Sequence, residues 1–272
     1  MQAAQNVRQI GNSRVLVESR GVLTPGTGSL GVLLLHGFTS SLSAVNGILP
    51  RFDAAGLPYE MPVLRGHQGS PSDLEGVCAQ DWYDDAFHAL GRLCRRVDRV
   101  VVVGLSMGGL VSLRLCAQSH ECSQRLAGCV TWAPALGFCH PLAWMAKPLS
   151  RFIKTWRGQD SFRDPECRKH NENYATFPTS AFVALYDYAH ETRRHLEKLN
   201  LPLCIIHSKR DQVVPYHTSR ILFKQARSDY AELNTLSVSG HELGQDCEAE
   251  TVFELTMDFV QKLLTKSEKV QN

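Results

Sequence analysis

Apolar positions along this chain alternate between two spacings, and the changes of spacing mark out its elements. Gly31–His36 (GVLLLH) and Val100–Val103 are continuous apolar runs, as expected for strands buried on both faces. Leu126–Thr131, Leu203–His207 and Leu233–Val238 resemble them. Pro58–Val63 reads as another strand weakened by its prolines, and Arg14–Glu18 alternates like an exposed edge strand. Between these runs the spacing becomes helical. Ala44–Gly56 closes at a glycine, and Asp81–Arg96 sets Trp82, Ala86, Ala89, Leu90 and Leu93 on one face. Met107–Ser119, Thr218–Arg227 and Glu248–Lys266 complete the set, the last with Asp246 placed to cap it and Glu248 and Glu250 in its first turn. Strands alternating with helices predict an α/β fold, a mostly parallel sheet flanked by helices on both faces. Such sheets bind ligands beyond the carboxyl ends of their strands.

One stretch breaks this rhythm. From Leu136 to about His190 no strand pattern is evident, and Trp144, Phe152, Trp156, Phe162, Tyr174, Phe177, Phe182, Tyr186 and Tyr188 are interleaved with Arg, Lys and Pro. The reading is a helical cap inserted between the strand ending near Thr131 and the one beginning near Leu203. It divides the chain into a core at 1–135, a cap at 136–190 and the rest of the core at 191–272. A cap over the carboxyl edge would shape an apolar pocket from some of those aromatics.

Candidate chemistry gathers at that edge. Val100–Val103 runs into Gly104-Leu105-Ser106-Met107-Gly108, and an amphipathic run follows without a spacer. A serine between glycines, where a strand turns directly into a helix, is a nucleophile elbow: the turn is tight, and only glycine-sized neighbours fit. The pentapeptide is weak evidence alone; its strand–turn–helix setting gives it meaning. A serine nucleophile needs a base, an orienting acid and donors for the oxyanion. Asp211 follows the strand ending at His207, and His241 follows the strand ending near Val238, so both fall at the same sheet edge as Ser106. The expected roles are Ser106 as nucleophile, His241 as base and Asp211 as the group that orients it. The oxyanion donors would be the backbone N–H groups of Met107 and Phe38. His36 reads as a structural histidine that ties loops together, and His207 is the first alternative base.

Taken together, His36-Gly37-Phe38, Gly104-Leu105-Ser106-Met107-Gly108-Gly109, Asp211-Gln212-Val213-Val214-Pro215 and Ser239-Gly240-His241 resemble the α/β-hydrolase superfamily. The combination is similar to its bacterial carboxylesterase and monoacylglycerol lipase branch. Leu64-Arg65-Gly66-His67-Gln68, ahead of Trp82, also fits, except that the relatives' loop has Gly where this chain has Gln68. The resemblance spans roughly residues 14–134 and 200–265 and not the cap. It implies a serine hydrolase cleaving carboxylic esters, short- to medium-chain acyl esters or monoacylglycerols, through an acyl-enzyme. The same machinery could instead serve a thioester, an amide or a carbon–carbon bond, and a non-catalytic ligand-binding protein on this fold is a further alternative.

Composition adds bounds. At 272 residues, 43% apolar and 21% charged, the chain suits one large α/β domain. A net charge of +2 without basic runs argues against a nucleic-acid partner. Nine cysteines scattered without a C-x-x-C pair read as free thiols in a reducing, cytoplasmic setting. No secretory signal or integral membrane span is read, and no metal or other cofactor is expected. The expected partner is a small-molecule ester with an apolar acyl group, and oligomeric state is left open.

Overall fold

The computed structural model describes residues 21–24 and 26–271, with side chains as far as 265, so the edge strand expected at Arg14–Glu18 lies outside the described residues. The chain runs through β1 (Gly21–Leu23), β2 (Gly28–Leu35), α1 (Ser43–Asn46), α2 (Leu49–Ala54), β3 (Tyr59–Pro62), α3 (Ala79–Cys94), β4 (Val97–Leu105), α4 (Met107–Ala117) and β5 (Leu126–Trp132). It continues through α5 (Ala146–Leu149), β6 (Thr155–Arg157), α6 (Pro165–Arg168), β7 (Thr176–Pro178), α7 (Thr179–Arg193), β8 (Leu203–Ser208), α8 (His217–Gln225), β9 (Ala231–Leu236) and α9 (Ala249–Gln271). Among the described residues a seven-stranded sheet has the order β1-β3-β2-β4-β5-β8-β9. The β1–β3 pair is antiparallel and the other pairs are parallel.

Pleating explains the continuous apolar runs. Leu33, Leu35, Val100, Val102, Cys129 and Ile205 pack on one face with α3, α4, α7 and α8, while Leu34, Val101, Val103, Val130, Trp132 and Ile206 pack on the other with α1, α2 and α9. Successive strand residues therefore both meet a core, so no polar face interrupts the pattern.

The structure corrects several sequence-based boundaries. The helix expected over Ala44–Gly56 is split into α1 and α2. Gly47 lies at the break, where a Cβ would come within 2.8 Å of the Phe253 ring, and Pro50 in the first turn of α2 cannot donate back into α1. The strand expected at Leu233–Val238 begins earlier and stops at Leu236, because the amides of Ser237, Val238 and Ser239 turn to the Glu248 carboxylate instead. The segment between β5 and β8 is not wholly helical: β6 and β7 form a two-stranded antiparallel ribbon pairing Trp156 with Phe177. Three-residue strands, one ending in a proline, are too short to show an alternation. The long helix of this segment, α7, packs on α4. Among the described residues no helix is long and apolar enough to cross a membrane.

Candidate active site

Ser106 sits where β4 becomes α4, with φ 55° and ψ −112°. This lies on the positive-φ side that residues with a Cβ seldom adopt. Its N–H donates to Trp132 O at 2.8 Å, fastening the turn to the end of β5. The flanking glycines are required by close approach: a Cβ on Gly104 would lie 2.3 Å from Gly108 O, and one on Gly108 would lie 2.3 Å from Leu35 O. The local sequence thus fixes a strained turn whose central hydroxyl is presented at the carboxyl edge.

His241 and Asp211 converge on it. His241 Nε2 lies 2.8 Å from Ser106 Oγ, and His241 Nδ1 lies 2.7 Å from Asp211 Oδ2. Asp211 Oδ1 accepts from the N–H groups of Val213 and Val214, each at 2.8 Å, so the D-Q-V-V turn orients its own carboxylate. His207, read as the alternative base, meets the same acid: its Nε2 donates to Asp211 Oδ2 at 2.9 Å. Burial alone would raise the Asp211 carboxyl. The charge of His241 and the hydrogen bonds from His207 and His241 outweigh it and hold the group well below the usual carboxylate range. Burial alone would lower His241, but the charge and hydrogen bond of Asp211 outweigh it and raise its basicity, with a smaller contribution from Glu242.

The loop carrying His241 is braced by two carboxylates that sequence reasoning assigned only to a helix start. Asp246 Oδ2 accepts from Gly240 N–H at 2.6 Å and from Arg163 N–H at 2.7 Å, and Oδ1 accepts from Asp164 N–H at 3.0 Å. Asp246 therefore ties the His241 loop to the segment at 161–164 rather than capping α9. His241 N–H donates to Ser161 O at 2.7 Å, and a Cβ on Gly240 would fall 2.4 Å from that same oxygen. Glu248 binds the three amides that precede Gly240. The only sequence signal was a pair of acids just after Ser-Gly-His.

On the other side of Ser106, two buried histidines hold the loop after β2. His36 Nε2 accepts from Leu64 N–H at 3.0 Å, so its Nδ1 carries the proton and donates to Gly37 O at 2.9 Å. His67 Nε2 accepts from Thr39 N–H at 3.0 Å, and its Nδ1 faces Leu64 O at 2.9 Å. Burial drives His36 down to about 3 and His67 down to about 4, so both rings are neutral. His36 thus occupies the tying position read from the sequence. Thr39 N–H is committed to His67 and Ser40 N–H to Gly37 O, whereas the N–H groups of Phe38 and Met107 have no acceptor among the described residues. Met107 opens α4, where a helix leaves its first amides unpaired. Gln68 has φ 60°, a backbone conformation that favours glycine. Arg65 anchors the loop by ion pairs to Asp81 and Asp85 at 2.7 and 2.8 Å.

Ser106 and His241 open into a cavity of about 560 Å³. Phe38, Phe138, Trp156, Phe177 and Phe182 form a contiguous aromatic wall, with neighbouring ring centroids 5.1–6.0 Å apart. A polar wall runs from Ser40 through Asn173 to Glu242, joined by hydrogen bonds of 3.1 and 2.7 Å. Of the other aromatics between β5 and β8, Tyr174 also lines the cavity and Phe162 and Tyr188 are buried, whereas Trp144 and Phe152 face solvent at 66% and 85% exposure. Among the described residues no group of three or more His, Cys, Asp or Glu side chains is placed to hold a metal ion.

Known proteins share this architecture. The chain is 28% identical over 237 residues to a thermostable monoacylglycerol lipase of Bacillus sp. strain H-257, covering 86% of this chain and 92% of the relative. It is 20% identical to a carboxylesterase of Bacillus subtilis strain 168, covering 87% and 94% of the two chains. Among solved structures, a metagenome-derived lipolytic enzyme superposes with a TM-score of 0.82 at 26% identity, over 92% of this chain and 100% of that one. A soluble variant of monoglyceride lipase from Saccharomyces cerevisiae gives a TM-score of 0.77 at 15% identity, over 96% and 99%, a likeness of fold. Residues 30–248 match the family described as serine aminopeptidase, S33. With a seven-stranded, mostly parallel sheet flanked by helices, the chain belongs to this family of α/β hydrolases.

Proposed function

We propose that this protein hydrolyses carboxylic esters with an apolar acyl group, either short- to medium-chain esters or monoacylglycerols, through an acyl-enzyme on Ser106. The observation that carries the proposal is the unbroken line of hydrogen bonds, 2.8 Å from Ser106 to His241 and 2.7 Å from His241 to Asp211. The names of the lipase and carboxylesterase relatives support the ester as the bond attacked.

The chemistry follows from the proton positions. An ionised Asp211 accepts hydrogen bonds only, so the proton of a neutral His241 is on Nδ1 and Nε2 is free to take the Ser106 proton. Ser106 Oγ then attacks the ester carbonyl. The oxyanion forms against the free N–H groups of Phe38 and Met107, each such donor contributing about 3–4 kcal/mol to the transition state. The imidazolium, stabilised by Asp211, returns its proton to the departing alcohol. Water repeats the sequence on the acyl-enzyme and restores Ser106. The aromatic wall beginning at Phe38 suits the acyl chain, and the segment at 136–190 acts as the cap over it.

No cofactor enters this scheme, and the partner is a small molecule rather than nucleic acid. Nine free cysteines, with Cys94, Cys116, Cys122, Cys129 and Cys204 buried, support a reducing, cytoplasmic setting. Hydrolysis of p-nitrophenyl esters of graded chain length tests the proposal and measures the acyl pocket. Turnover that rises from acetate to a medium chain is expected. Cleavage of matched thioesters or amides with no ester turnover would reassign the bond.

A further inference from the structure

Asp211 answers to two histidines, and the mechanism above uses one. His207 is the penultimate residue of β8, on the same face as Leu203 and Ile205, so strand alternation aims it between the sheet and α8. Both of its ring nitrogens are engaged: Nε2 with Asp211 Oδ2 at 2.9 Å and Nδ1 with Ser219 Oγ of α8 at 2.7 Å. The side chains of His207 and Asp211 are both 0% exposed, so water does not substitute for either contact. Ser219 is itself fully buried, and its hydroxyl holds the ring from the side opposite Asp211.

We propose that His207 is a positioning residue, which grips the Asp211 oxygen that also receives His241 and thereby sets both the carboxylate's rotation and the share of its charge felt by the base. The geometry requires such a part. Asp211 Oδ1 is occupied by two backbone amides, so rotation about the carboxyl axis is resisted at Oδ2 by the two imidazoles together. An oxygen that accepts from two rings attracts the proton of each less strongly than an oxygen that accepts from one. Without His207, more of the Asp211 charge acts on His241, which then holds its proton to higher pH. The other titratable groups around this line are Tyr216, whose ring meets His207 at 5.7 Å, Cys139, which feels the Asp211 charge, and Glu242 beside His241. None of them donates a hydrogen bond to Asp211 Oδ2.

The inference rests on the proposed roles of Ser106, His241 and Asp211, and its test separates the two. The dependence of kcat/KM on pH is measured with p-nitrophenyl butyrate for wild type, His207→Leu, His207→Gln and Ser219→Ala. His207→Leu should move the acid limb upward by roughly half a unit to one unit and lower the plateau about ten- to a hundredfold. His207→Gln, whose amide can still donate to Asp211, should return the limb towards wild type. Ser219→Ala should give a smaller shift of the same sign, and it carries the test if thermal melting shows that the leucine variant fails to fold. An acid limb unchanged in the folded variants, or lost activity with an unshifted limb, would overturn the inference. A wild type that no fluorophosphonate labels would overturn the nucleophile reading and this inference with it. A labelled wild type with no shift in the variants would overturn this inference alone.

Discussion

Four buried histidines flank Ser106 in two pairs, and the pairs behave differently. His36 and His67 hydrogen-bond to backbone groups; burial prevails, and their basicity falls to about 3 and about 4. His207 and His241 meet one buried carboxylate, and there His241 is raised instead. Burial is the same on both sides, so the partner decides the outcome. A neutral ring is a fixed brace for a loop. A ring beside a carboxylate can take a proton and return it.

Substitutions on the carboxylate side should produce the largest effects on rate. Ser106→Ala and His241→Ala are each expected to reduce kcat roughly 10⁶-fold, with folding retained by circular dichroism. Asp211→Asn should cost less, roughly 10⁴-fold, and should move the acid limb of kcat/KM downward because the charge that raises His241 is removed. In wild type the same charge should set that limb above the ordinary histidine value of 6.5.

On the brace side the expected effect is on stability. The unfolded chain binds protons below about pH 6.5, whereas folded His67 and His36 resist them until about 4 and about 3. Stability should therefore fall as pH drops through that window, by as much as about 1.4 kcal/mol per pH unit for each ring. His241 has the opposite sign: its contribution is full below the unfolded value and is lost as pH rises through the folded one. His67→Gln, which does not titrate, should remove one ring's share of the acid-side slope in urea denaturation at pH 5 to 7. Among these changes the smallest is expected from Gln68→Gly in the His67 loop. Relief of a positive φ there should raise stability by about 1 kcal/mol, read as a higher urea midpoint at unchanged m-value.

The two sides were also unequally legible in the sequence. The strands, the elbow at Ser106 and the order of Asp211 and His241 were readable because each depends on local pattern: apolar runs, glycines at a tight turn, and residues just past strand ends. His36 was readable as a brace because it closes a strand beside Gly37. The position of His207 on Asp211 was not, since it depends on the rotation of β8 against α8. Asp246 and Glu248 carry only a helix-start pattern in the sequence, because the amides they bind, at 163–164 and 237–240, are loop groups that leave no periodic trace. The β6–β7 ribbon was hidden by its length.

The most direct measurement of the central claim is intact-mass and peptide analysis after fluorophosphonate treatment. The account predicts one adduct, on the peptide carrying Ser106, formed quickly by wild type and lost in His241→Ala. A folded protein that stays unlabelled, or that carries the adduct on another residue, would contradict it.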